Sequence, residues 1–233
     1  MNDKAKNIPL EKNLNWWWYK SRLNLLDFIV RKKLKSLPND ILEIGPGLGN
    51  NIKQLNKYGS LDVLEVEVNF IKHLQDNFGN EINQIFTNLE NIKKEYDLIV
   101  MLDVLEHIEL SREFMFTLKD FLKEDGKIIL SVPAYKFLYS SHDFELKHFR
   151  RYSWKTLKKD CENYIFLYRT GFNFLLLPFR VLQIKFFNNI NSVSSENKFL
   201  ESIFLYITVI ESAIRKLYNV KFGLSLFAVL GKK

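Results

Sequence analysis

Residues 41–49 read Ile41-Leu42-Glu43-Ile44-Gly45-Pro46-Gly47-Leu48-Gly49. Four residues of a buried-strand pattern run directly into three glycines at alternate positions, and a helical stretch follows at about 50–57. A strand that turns into a helix through glycines is the opening unit of an α/β fold. The glycines permit a tight turn and let a ligand approach the backbone closely, and the helix start offers free N–H groups. The spacing is not that of a dinucleotide loop, because Asn50 stands one position after the third glycine. It is not a P-loop either, since no Lys-Ser/Thr pair follows. Glu43, immediately before the glycines, argues against a polyanionic ligand and suits one that carries an ammonium group.

Outward from this loop, strands are expected at 61–65, 85–87, 96–101, 127–132, 164–168 and 223–230. Helices are expected at 14–36, through Phe70 and Leu74, at 112–123 and at 153–162, with Glu124-Asp125-Gly126 as a turn. Strands alternating with helices predict an α/β fold with a parallel sheet covered on both faces. Residues 1–13 read as a tail and 14–233 as a single domain. Between the last two strands lies an apolar insertion, 172–222, with two stretches (172–190 and 199–218) separated by polar Asn191 to Asn197. Arg180, Lys185, Glu201, Glu211 and Arg215 interrupt these stretches too often for a bilayer span. Core packing, a cap on the site, a dimer surface and a membrane interface all remain open for them.

Composition narrows the function classes. In 233 residues, 47% are hydrophobic and 26% charged, enough for a packed core and against global disorder. A single cysteine, Cys161, excludes a disulfide scaffold and a cysteine-based zinc site. Residues 1–12 lack the apolar core of a signal peptide, so a cytoplasmic location is expected, at the inner face of the membrane if 172–218 touches lipid. The net charge of +7 fits nucleic acid, anionic lipid or an anionic substrate, and equally a lysine-rich genome.

Glu65, roughly 20 residues beyond the glycine loop, is placed to accept from two ribose hydroxyls, with Glu67 as its competitor on the same face. With Leu42 to Gly49, Val63-Leu64-Glu65, Tyr96 to Val100 followed by Asp103-Val104-Leu105-Glu106-His107-Ile108, and Leu122 to Pro133 in this order, the chain resembles the class I S-adenosylmethionine-dependent methyltransferases. The resemblance covers roughly 15–170 and the closing strand. It implies a Rossmann-like, doubly wound, seven-stranded sheet whose last strand is antiparallel and lies next to the fifth. It implies S-adenosylmethionine as cofactor, with Glu43 toward the methionyl amine, Gly45, Gly47 and Gly49 in the loop beside it, and Glu65 on the ribose. Asn88, followed by Leu89, stands where many relatives have an Asp that binds the adenine amine. Asp103 would sit near the transferred methyl. The lead-in from Asn15 to Arg22 is similar to that of enzymes in which an arginine clamps the cofactor carboxylate, which makes Arg22 the candidate.

Transfer to a hydroxyl needs a base near neutral pKa. Asp103, His107 and His148 are the catalytic candidates. The stretch Ser141 to Tyr152 resembles the histidine–aromatic–Arg-Arg-Tyr block of bacterial methyltransferases associated with cell-envelope sugars and lipids. That resemblance makes His142, Arg150, Arg151 and Tyr152 substrate-side candidates. No metal is expected, because the spacing of Glu106, His107, His142 and Asp143 specifies none. The acceptor expected is small or linked to a lipid or glycan, methylated at oxygen. Two rivals stand beside it, a cofactor-binding relative without turnover and an RNA methyltransferase. Although the glycine loop resembles that of the ribosomal-RNA dimethyladenosine enzymes, Asp103 to Glu106 replaces their adenine-binding block, so a nucleic-acid partner is not expected.

Overall fold

The computed structural model of the chain describes residues 17–186 and 198–233. The expected tail and the polar separator Asn191 to Asn197 lie outside the described residues. The first helix, α1 (Trp17–Lys33), buries Leu25, Leu26, Ile29 and Val30 at helical spacing and ends on Arg31, Lys32 and Lys33, cations that suit a helix C-terminus. It leads into β1 (Asp40–Ile44), a short α2 (Ile52–Leu55), β2 (Ser60–Leu64), α3 (Val68–Phe78) and β3 (Gln84–Phe86). Then follow β4 (Tyr96–Leu102), α4 (Ser111–Leu118), β5 (Leu122–Pro133), α5 (Ser141–Glu145), α6 (Trp154–Asp160) and β6 (Tyr164–Phe172). The chain closes through α7 (Leu177–Phe186), α8 (Lys198–Leu217) and β7 (Ser225–Lys232).

The strands form one seven-stranded sheet in the order β3-β2-β1-β4-β5-β7-β6. β1 to β5 pair in parallel, and β7 is antiparallel to both β5 and β6, as expected for the fold class. Alternate residues of each central strand feed opposite cores. Leu42, Ile99, Ile128 and Leu130 enter one, whereas Ile41, Leu98, Val100 and Ile129 enter the other. Both faces are covered, which is why these strands read as continuous apolar runs.

Three boundaries differ from expectation. Glu124-Asp125-Gly126 does not form a free turn. β5 already begins at Leu122, which pairs with Tyr96, and the register then shifts so that Lys127 faces Leu98. Lys123, inside the resulting bulge, reaches Asp40 and Asp97 at 2.8 and 3.1 Å and ties it to the neighbouring strand ends. β6 continues past Tyr168 to Phe172 because its whole length pairs with β7, a non-local cause. The helix expected at 112–123 stops at Leu118 and tightens into a 3₁₀ turn.

The apolar insertion is helical. α8 packs on α1, and Trp17 stacks on Phe204 with 4.9 Å between rings. Glu211 and Arg215 interrupt the apolar stretch as a buried ion pair. Glu211 accepts from the backbone N–H of Asn173, and Arg215 donates to the carbonyl of Gly171, so the pair fastens α8 to the end of β6. Among the described residues no helix is long and apolar enough to cross a membrane.

Candidate active site

The chain leaves β1 toward β2 on one side while β4 lies on the other, which opens a crevice at the C-terminal ends of the strands. The glycine loop lines it. Gly45, Gly47 and Gly49 all have positive φ (67°, 55° and 77°), the region that side chains disfavour. Their surroundings differ. A Cβ on Gly45 would meet Val104 at 2.8 Å, and one on Gly49 would meet Phe78 at 2.7 Å, whereas nothing lies within 4 Å of one on Gly47. Gly45 and Gly49 therefore serve close packing, and Gly47 alone faces open space that a ligand can fill.

Two carboxylates flank this space. Glu65 accepts from the backbone N–H of Gly47 at 3.1 Å and from those of Val66 and Glu67 at 2.8 and 3.0 Å, which anchors it at the loop. Its competitor Glu67 is half-buried and accepts from Asn69. Glu43 is buried. One oxygen accepts from Asn51 at 2.7 Å, and the other has no partner. Burial pushes the Glu43 carboxyl up to about 7, and Glu65 nearby acts in the same direction against Asn51 and Arg22. An unpartnered buried carboxylate oxygen beside an open glycine fits an incoming ammonium group.

Asp103 stands just past β4 with φ 58°. Ser131 of β5 donates to one of its oxygens at 2.9 Å, and Arg22 of α1 to the other at 2.9 Å. The Arg22 guanidinium also lies 4.9 Å from the centre of the Tyr19 ring. Arg22 is thus nearly buried at the crevice but engaged with a carboxylate of the chain itself. The donor set as a whole (an unpartnered Glu43 oxygen, Glu65, Arg22 and the open position at Gly47) suits a zwitterionic ligand with ribose-type hydroxyls.

The profile of the family described as "Methyltransferase domain" matches residues 13–166. The chain belongs to this methyltransferase domain family. Ubiquinone biosynthesis O-methyltransferase of Rickettsia bellii (strain OSU 85-389) is 29% identical over 141 residues, covering 52% of this chain and 58% of the relative. The chain spans little more than half the length of that relative. Ribosomal RNA small subunit methyltransferase A of Aliarcobacter butzleri (strain RM4018) is 42% identical over 59 residues, 24% of this chain and 22% of the relative. Among solved structures, the N-methyltransferase NodS from Bradyrhizobium japonicum WM9, in complex with S-adenosyl-L-homocysteine, superposes with TM-score 0.58 at 14% identity. It covers 100% of this chain and 93% of NodS, and the likeness is one of fold.

The other expected site residues of this methyltransferase domain fall into two groups. Glu106, His107 and His148 come together, with one ligand-type atom from each lying within 4.8 Å of the others. The His107 and His148 rings meet edge-on at 4.6 Å. This is the place where the described residues could hold a metal ion, although spacing alone specifies none. Both Glu106 oxygens are buried without partners. Burial first, and then Asp103, hold its carboxyl well above the usual range. Burial and the neighbouring His148 keep His107 below the ordinary imidazole value.

Asp143, which sequence reading considered only as a metal ligand, organises this corner. It is fully buried and accepts from the backbone and hydroxyl of Ser140, from His148 Nδ1 at 2.9 Å and from Arg151 Nε at 2.7 Å. Those donors hold its carboxyl well below the usual range against the cost of burial. The backbone N–H of Phe149 then binds the Glu106 carbonyl at 2.9 Å, so the 141–152 loop is fastened to the turn after β4.

The second group faces protein. Arg150 donates to Ser111 and to the Glu109 carbonyl, and buried Tyr152 reaches Asp160 at 3.1 Å. Arg151 is shared between Asp143 and the Ala134 carbonyl. Arg150, Arg151 and Tyr152 also border a cavity of about 660 Å³ that Lys136, Tyr139, Phe149 and Lys159 help to line. His142 is exposed on α5, and desolvation by the surrounding chain lowers its pKa. Asn88 is exposed and caps the turn 89–91, accepting from the Glu90 N–H at 3.1 Å, while Leu89 packs on the core. Sequence reading missed Asn51 and Ser131. Neither carries a motif signal, because each meets its carboxylate only through the folded chain.

Proposed function

We propose that the protein is an S-adenosylmethionine-dependent methyltransferase that methylates an oxygen of a small, lipid-linked acceptor. Membership in the methyltransferase domain family supports the reaction class. The observation that carries the cofactor is the open position at Gly47 between the unpartnered oxygen of Glu43 and the loop-anchored Glu65. Glu43 would hold the amine, Glu65 the ribose hydroxyls, and Arg22 with Asp103 would close the crevice from α1. When bound, the cofactor supplies a methyl group already activated on a sulfonium, so the chain needs to orient the acceptor, exclude water and take one proton.

His148 is the proposed base. Asp143 is ionised and can only accept, so His148 Nδ1 must carry the hydrogen between them and Nε2 is left free to take the acceptor proton. Asp143 acts through His148, as a positioning residue. His107, packed edge-on against His148 and uncharged near neutral pH, leaves the base free of a second cation. Oxygen as the acceptor atom rests on this dyad. The relative in Rickettsia bellii, a ubiquinone biosynthesis O-methyltransferase, supports oxygen as the acceptor atom.

Calorimetric titration with S-adenosylmethionine and S-adenosylhomocysteine tests the cofactor. Binding should be lost in Gly47→Arg and strongly weakened in Glu65→Ala. If the folded protein binds neither compound, the proposal fails. For the base, turnover with ortho-diphenols bearing an isoprenoid chain should collapse in His148→Asn while cofactor binding stays intact. Unchanged turnover in that variant would remove His148 from the role.

A further inference from the structure

The crevice end of the sheet carries an apolar surface that the site chemistry leaves unused. α8 is amphipathic. One side packs on α1, and the opposite side presents Ile203, Tyr206, Val209, Ile210 and Leu217 to solvent at i, i+3, i+4 spacing; Tyr206 is 68% exposed and Leu217 79%. α7 adds Phe179, 67% exposed, and touches the turn 136–138, where Phe137 is 62% exposed and stacks on Tyr135. Phe222, in the segment that leads from α8 into β7, is exposed and packs on Phe174. These elements meet where β5 and β6 end and β7 begins, the same end of the sheet as the glycine loop.

Charge decides what covers this face. The segments 133–140, 172–184 and 202–224 contain one acid, Glu211, which is buried against Arg215. Their exposed cations are Lys136, Lys216 and Lys221. A second copy of the same face would bring like charges together. An amphipathic helix with aromatic side chains, bordered by lysines and without an exposed acid from Ser202 to Leu217, fits an anionic bilayer interface.

We infer that the protein docks through α7, α8 and the 136–138 turn on the surface of a membrane containing anionic phospholipid. Docked in this way, the crevice end of the sheet is held at the bilayer, where a lipid-linked acceptor of the kind proposed above would be presented; that link to catalysis rests on the proposed function, whereas the docking does not. The test is flotation of the full chain with phosphatidylcholine vesicles, with and without phosphatidylglycerol. Binding should require phosphatidylglycerol, fall roughly tenfold or more in Lys216→Glu/Lys221→Glu, and fall similarly in Phe179→Ser/Tyr206→Ser. All four side chains are exposed, and S-adenosylmethionine titration without vesicles checks that the variants keep their folded site.

Three results would overturn the inference. One is no flotation of the wild type; another is flotation that neither double variant weakens. The third is a wild-type dimer in buffer that Phe179→Ser/Tyr206→Ser converts to monomer, which would assign the face to a second copy. Vesicle binding without cofactor binding would leave the docking standing and defeat the methyltransferase proposal. Cofactor binding without vesicle binding would do the reverse.

Discussion

At Gly47 the backbone has φ 55°, yet a Cβ there would meet nothing within 4 Å. Gly47→Ala should therefore lower stability by only about 1 kcal/mol, the backbone term. Its methyl group would stand in the ligand space, and cofactor affinity should fall by roughly tenfold or more. Gly45→Ala adds a 2.8 Å contact with Val104 to a similar backbone cost, so its melting temperature should drop further than that of Gly47→Ala. Parallel thermal melts and titrations of the two variants check this. Glu43 makes a pH-dependent prediction at the same scale. Its carboxyl, near 4.5 in the unfolded chain, is pushed up to about 7 by burial. Between those values the unfolded chain loses the proton while the folded chain keeps it. Stability should thus decline as pH rises from about 4.5 to 7, by an amount on the order of 3 kcal/mol. An ammonium ligand prefers the ionised form. Cofactor affinity should weaken as pH falls below 7, with proton uptake or release visible as buffer-dependent heat, and Glu43→Gln should flatten both profiles.

Among the elements, the loop between β5 and α6 depends most on one side chain. Asp143, itself fully buried, gathers the partly buried Ser140, His148 and Arg151. Asp143→Ala would strand Arg151 and His148 beside a cavity and should cost about 3–5 kcal/mol, read as a lower denaturation midpoint. Because its folded pKa is depressed, the stability Asp143 contributes is complete above the ordinary carboxylate value of 3.8 and drains as pH falls below it. In the wild type, acid denaturation should begin below about pH 4, and Asp143→Asn should remove part of that dependence. The sequence displayed the Ser141–Tyr152 block as a run of chemistry-bearing residues, but it did not show which of them face one another. Tyr152 looked like a substrate residue and is 1% exposed; Asp143 drew little notice and is the hub.

For the whole molecule, β7 is the keystone of one half of the sheet. It pairs along its length with β5 on one side and β6 on the other, and Leu226 to Leu230 are all fully buried. A chain ending at Leu224 would expose two strand edges and the apolar surfaces that these residues cover. It should be recovered insoluble or without cooperative unfolding, as circular dichroism and gel filtration would show. By contrast α7 and α8 leave much of their apolar surface in solvent, so their exposed positions should tolerate polar substitution without loss of fold.

The parts of this protein that the sequence determined are those governed by neighbours along the chain. Alternation of apolar runs with helical spacing set the α/β class. Three glycines after a strand marked the loop that borders the crevice, and an acid after β2 marked its hydrogen-bonding partner. Each of these follows from local backbone geometry and from burial on both faces of a parallel sheet. Other features were decided only when distant segments met. Arg22 and Asp103 are 81 positions apart and Ser131 and Asp103 are 28; the position of helix α1 and the pairing of β4 with β5 bring them into one network. The extension of β6 and the bulge of β5 likewise depend on non-local pairing, whereas the Asn51–Glu43 bond and the hub at Asp143 join residues eight or fewer positions apart through loop conformations. A side chain's partner is set by the three-dimensional path of the backbone, and no spacing rule along the chain encodes that path.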